Sequence, residues 1–163
     1  MRTLALYVLV LLTSVINAQT LTVTSPDFEN GGDIPERFTC DGDDANPNLE
    51  IAGIPKNTKS LVIIMEDPDV ALTTFNHWLV WNIPPQEVIR ASSIPGIQGN
   101  NSLGKNSYLG PCPPAGTHRY FFRIYALDTM LDLDPDSNKR KLEAAMEGHI
   151  LAEGEIYGVY NKK

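Results

Sequence analysis

Two short motifs, Asp67-Pro68-Asp69 and His77-Trp78-Leu79, are followed farther along by Gly110-Pro111-Cys112-Pro113-Pro114-Ala115-Gly116-Thr117-His118-Arg119-Tyr120. Together they supply carboxylates, two of the chain's three histidines and a Gly/Pro-rich loop. An imidazole can donate to an oxyanion, and it needs a partner to fix its tautomer. A carboxylate that accepts from the ring favours its charged, anion-binding form. His77 and His118 are therefore candidate donors, and Asp67 and Asp69 are candidate partners. Glycines let a backbone approach a ligand, prolines reduce what a loop loses on ordering, and free N–H groups beside such turns make an anion nest. Each piece also has a plainer reading. A histidine at a strand mouth serves as a core-edge residue bonded to a carbonyl, and a Gly/Pro loop serves as a rigid turn.

Short strands must position these groups. Residues 20–25 alternate apolar and polar, and residues 49–54 form a second candidate strand. Residues 60–66, Ser-Leu-Val-Ile-Ile-Met-Glu, have the length and apolarity of a strand buried on both faces. Residues 77–83, 120–127 and 155–160 are further strands, the second of them rich in aromatics. Alternation along a strand puts His77 on the face of Leu79 and Trp81, and turns Arg119 away from His118 into a structural ion pair. One helix is expected over residues 139–147, with Ser137 as N-cap and Gly148 as its stop. Lys139-Arg140-Lys141 is then a solvated helix start, and His149 helps the chain leave the helix. Asn30-Gly31-Gly32, Asp41-Gly42-Asp43-Asp44 and the twelve prolines supply turns. Many short strands and one helix predict an antiparallel β-sandwich.

The 163 residues suit one domain. Arg2, the apolar run over residues 4–15 and Ile16-Asn17-Ala18 have the pattern of a cleaved secretory signal over residues 1–18, leaving a single domain over 19–163. The expected location is secreted or periplasmic, and no stretch of the mature chain is long and apolar enough for a transmembrane segment. The formal net charge of −7 becomes one unit more negative when Arg2 leaves. That balance disfavours nucleic acid, whose phosphates need a basic face. It leaves room for one small anion held by local donors. In an oxidising compartment Cys40 and Cys112 form a disulfide, and otherwise they are two reduced thiols. Asn100-Asn101-Ser102 fits an N-glycosylation acceptor in a eukaryotic secretory pathway.

No G-x-S-x-G elbow is present for a serine hydrolase. Cys112 with His77 or His118 has the types for Cys–His chemistry, which the disulfide would remove. His77, His118 and an Asp form a legitimate two-His, one-carboxylate set, but no H-x-x-x-H pair, cysteine cluster or phosphate-binding G-x-x-x-x-G-K-[ST] occurs. No catalytic residue, metal or cofactor is assigned.

At these residues the chain resembles the phosphatidylethanolamine-binding protein family, also called Raf kinase inhibitor-like, and most of all its short bacterial and archaeal branch. The matching segments run in family order through nearly the whole mature chain. They include Phe38-Thr39-Cys40-Asp41-Gly42, Asn46-Pro47, Lys59-Ser60-Leu61, Asp67-Pro68-Asp69, His77-Trp78-Leu79, Asn82-Ile83-Pro84, Gly110-Pro111-Cys112-Pro113-Pro114, Gly116-Thr117-His118-Arg119-Tyr120 and Ala126-Leu127-Asp128. The acidic motif continues Val70-Ala71 where the family's usually runs on to Ala-Pro. The resemblance implies an antiparallel Greek-key β-sandwich with one short C-terminal helix before the last strand and a small anion pocket at one end. It implies Asp67, His77, Gly110, His118 and Tyr120 as pocket residues, with Asp69, Pro111 and Pro113 shaping the wall. The expected function is non-catalytic binding of a small phosphate-like anion or phospholipid head group. The alternatives are an inhibitor or interaction protein that uses the pocket as a docking socket for a protein partner, and a His/Asp hydrolase or metal-dependent enzyme.

Overall fold

Ser60–Asp67 is buried at every position, and the structure is built around it. Its Val and Ile residues are stiff at χ1 and pack well on a pleated surface. The computed structural model describes residues 19–162, so the leader reading of residues 1–18 lies outside the described residues. The strands are β1 (Gln19–Thr20), β2 (Thr22–Thr24), β3 (Leu49–Ala52), β4 (Ser60–Asp67), β5 (Phe75–Ile83), β6 (Val88–Ile89), β7 (Ile97–Gln98), β8 (Thr117–Leu127) and β9 (Ile150–Asn161). The helix α1 (Lys139–Met146) precedes the last strand.

A six-stranded sheet has the order β1-β9-β8-β4-β5-β7, and a three-stranded sheet has the order β2-β3-β6. Alternation sorts β4 between two cores. Leu61, Ile63 and Met65 join Trp78, Phe122 and Ile124 in a cluster shared with Val23, Leu49 and Ile51 of the smaller sheet. Val62 and Ile64 face the other way and pack with Leu79, Trp81, Leu142 and Met146 beneath α1. Each such fully buried side chain stabilises the fold by roughly 1.5–3 kcal/mol.

One pairing departs from the antiparallel expectation: β1 runs parallel to β9. The chain passes along the edge of the large sheet and reaches the small one after a single residue, the buried Leu21, whose N–H donates to the Glu153 carbonyl at 2.7 Å. Gly154 admits this crossing, since a Cβ there would stand 2.3 Å from the Leu21 carbonyl oxygen.

The last strand is longer than the sequence pattern predicts, because β8 pairs with β9 from Thr117↔Asn161 to Leu127↔Ile150. The helix cap also differs by one residue. Asn138, not Ser137, is the N-cap, and its side chain accepts from the Lys141 N–H. Ser137 is committed elsewhere: its N–H donates to the Asp134 carbonyl, and its own carbonyl accepts from the Asn100 N–H. Gly148 follows the helix at φ +78°, and His149 closes the exit through its N–H to the Met146 carbonyl. The Glu66 carboxylate sits between Lys139 of the helix and Arg123 of β8, which ties α1 to the sheet.

Candidate functional site

β4 delivers Asp67 at its end, buried to 2% exposure. Its Oδ1 accepts from the Asp69 N–H at 2.8 Å, while its Oδ2 lies 2.6 Å from Nδ1 of His118. His118 and Tyr120 arrive on one face of β8, two residues apart, as period-2 alternation requires. Arg119 faces the other way. Its backbone N–H and Nε both donate to Asp69 Oδ2 at 2.9 Å, and its terminal nitrogen donates to Oδ1 at 2.6 Å. That grip holds the Asp69 carboxyl down at about 2, with the Arg119 side-chain hydrogen bond as the main cause. Asp69 is therefore committed to Arg119 and does not line the cavity.

His77 sits on a different face from the one expected by alternation. Leu79 and Trp81 belong to the core under the helix, but the His77 ring meets Tyr120 edge-on, with centroids 5.2 Å apart. The reason is a β-bulge: Met65 pairs with Trp78 and Glu66 with Asn76, so His77 is the extra residue. A bulge bends the strand and re-aims a side chain. Here it turns the imidazole toward Asp67 and Tyr120.

Nδ1 of His77 donates to the Leu109 carbonyl at 2.7 Å. Burial is the chief influence on the ring and pushes its pKa below the ordinary 6.5, against the opposing pull of the Leu109 carbonyl and of Asp67. A neutral ring with Nδ1–H engaged presents Nε2 as an acceptor. Tyr120 is buried, and its hydroxyl has no hydrogen-bond partner among the described residues, with the Asp67 carboxylate and the Cys112 backbone N–H nearby. Burial, and then the Asp67 charge, push this phenol well above its usual range.

Asp67, His77 and Tyr120 line a cavity of about 360 Å³ whose other walls are mostly apolar, among them Phe75, Leu109 and Pro113. Cys40 and Cys112 form a disulfide and both line this cavity. The bond joins the loop after Phe38 to the Gly/Pro loop. Three hydrogen bonds cross the same junction: Cys40 N–H to the Pro111 carbonyl, Gly110 N–H to Asp44 Oδ1, and Tyr108 Oη–H to the Phe38 carbonyl.

Gly110 thus lies at the back of the wall. Its amide is held by Asp44, and a Cβ would come within 2.6 Å of the Phe38 carbonyl oxygen. Pro111 contributes its carbonyl to the junction, and Pro113 lines the cavity. His118 reaches the site through Asp67 and is not itself a lining residue. Among the described residues, no three histidine, cysteine or acidic side chains converge as metal ligands. Sequence reasoning missed Asp44, which looked like a turn residue, and Phe75, Leu103 and Leu109, whose apolar types carry no chemical signal.

The family model described as phosphatidylethanolamine-binding protein matches residues 24–161. A UPF0098 protein of Archaeoglobus fulgidus is 49% identical over 154 residues, covering 89% of this chain, and the chain spans 52% of that relative's length. A second UPF0098 protein, PYRAB11530 of Pyrococcus abyssi, is also 49% identical and covers 83% of each chain. The crystal structure of CT736, a phosphatidylethanolamine-binding protein homologue from Chlamydia trachomatis, superposes with a TM-score of 0.85. It is 37% identical, over 90% of this chain and 100% of that one.

Proposed function

We propose, from the premise that the chain belongs to the phosphatidylethanolamine-binding protein family, that it is a non-catalytic binding protein for a small phosphate-like anion or phospholipid head group. On this reading the two sheets are the halves of a Greek-key β-sandwich and the cavity lined by Asp67, His77 and Tyr120 is its anion pocket. The observation that carries it is the buried, unpartnered Tyr120 hydroxyl beside Asp67 and His77 in an otherwise apolar cavity. A buried hydroxyl without a partner costs free energy, and a ligand oxygen that accepts from it removes that cost.

The roles of the two imidazoles differ. His118 is fastened to Asp67 through Nδ1 and so fixes the carboxylate that faces the cavity. Neutral His77 offers Nε2 as an acceptor, which suits a P–OH or the ammonium of a head group. The disulfide also consumes the thiol that Cys–His chemistry would need. It supports delivery to an oxidising compartment, in line with the leader-like residues 1–18. A second reading, a docking socket for a protein partner, draws on Leu103 at the cavity rim, which is 55% exposed.

The test is an NMR titration of residues 19–163 with phosphate and with phosphorylethanolamine, following the His77 and His118 ring signals. Saturable shifts in both rings are expected. Tyr120→Phe should weaken binding by about threefold to tenfold. Unmoved rings with both ligands would overturn the proposal.

A further inference from the structure

The cavity is mostly apolar, with Asp67, His77 and Tyr120 as its polar lining side chains. Asp67 is its charged lining residue, and among the described residues no lysine or arginine lines it. A phosphate-like group held there needs a counter-charge from the rim. One stands at the end of β9. Nζ of Lys162 is 3.7 Å from Sγ of Cys112, a lining residue, and 3.7 Å from Oδ1 of Asp41. Both contacts are long, since an ammonium fully engaged by a carboxylate comes within about 2.7–2.9 Å. The side chain is 46% exposed, so the ammonium has room to move.

The strand end that carries it is well placed. Tyr160 pairs with His118 across β8 and β9, and its hydroxyl donates to Asp41 Oδ2 at 2.7 Å. Asp41 follows Cys40 directly, so this contact fastens β9 to the corner where the disulfide closes the cavity. Lys162 is two residues beyond Tyr160 and leaves the sheet at that corner. Its present partner, Asp41, belongs to the rim and not to the cavity lining.

We infer that Lys162 is an anion-binding residue of this pocket: its ammonium exchanges the long contact with Asp41 for a direct one with a phosphate-like group seated beside Cys112, and so supplies the positive charge that the lining lacks. This rests on the anion-site reading of the pocket. It makes the residue that follows β9 part of the ligand site, where sequence types alone mark only a solvated lysine. It also makes binding sensitive to ionic strength, because a rim charge in contact with water is screened by salt.

The experiment is titration of inorganic phosphate into four forms of the protein under one low-salt buffer, read by the His77 and His118 ring signals. The forms are the wild type, Lys162→Met, Lys162→Arg and, as a control from the turn between β3 and β4, Lys56→Met. Lys162→Met should weaken phosphate binding by about threefold to tenfold and flatten its salt dependence. Lys162→Arg, which keeps the charge, should stay near wild type, and so should Lys56→Met. Wild-type affinity and salt dependence in Lys162→Met would overturn the inference and leave the pocket reading standing. Equal loss in Lys162→Met and Lys56→Met would also overturn it, because the effect would then follow net charge. A wild-type protein that binds no phosphate would overturn the anion-site reading and this role of Lys162 together.

Discussion

Asp67 and His118 are 51 positions apart in sequence and meet at 2.6 Å between Oδ2 and Nδ1. The contact joins the end of β4 to the start of β8 inside the large sheet, and it leaves Asp67 with both oxygens engaged. Because Asp67 is 2% exposed, its loss strands the part-buried donor on His118 and frees the Asp69 amide.

Asp67→Ala is expected to destabilise the protein by about 1–3 kcal/mol, the cost of leaving such a donor unsatisfied. Asp67→Asn retains an acceptor and should cost less. Urea denaturation of the two variants against the wild type checks the order. Equal stability of all three would show that the pair contributes nothing to folding.

Stability should fall on acidification, with His77 as one contributor. Burial depresses its folded pKa below the 6.5 of an ordinary ring, so the unfolded chain binds the proton more tightly. The contribution is fully present above 6.5 and is lost as the pH falls below that value through the folded pKa. Thermal unfolding at pH 7 and pH 5 should show a larger drop in Tm for the wild type than for His77→Asn, which has no proton to gain. Parallel drops would assign the acid loss to other groups.

Removing the Cys40–Cys112 bond by a Cys40→Ser, Cys112→Ser double substitution should cost about 4 kcal/mol, because the bond closes a loop across a separation of 72 residues. The junction keeps three hydrogen bonds without it, from Cys40 N, Gly110 N and Tyr108 Oη, so phosphate titration of the double variant should remain saturable. Denaturant unfolding measures the first effect and the ring titration the second. Unchanged unfolding would deny the bond its role in stability, and loss of saturable binding would show that the hydrogen bonds alone do not hold the wall.

Residue types carried much of the architecture. The run from Ser60 to Glu66 has no polar interruption, and it forms the strand buried on both faces. The Lys-Leu-Glu-Ala-Ala-Met segment before Gly148 forms the helix, with only its cap displaced by one residue. The motif order along the chain identifies the family. These readings succeed because they depend on neighbours within a few positions: periodicity, propensity and turn chemistry are local.

The site depended on contacts that no local pattern contains. Alternation placed His77 with Leu79 and Trp81, but the bulge opposite Met65 and Glu66 turned it to Tyr120. Gly110 looked like backbone support for a ligand, and Asp44 takes its amide instead. Asp69 looked like a partner for histidine, and Arg119 holds it with three hydrogen bonds. Sequence by itself determined which elements form and which reactive side chains are present. Tertiary structure decided which of those side chains share a cavity, because strand register, a one-residue bulge and the pairing of distant loops are set by packing across the whole sheet.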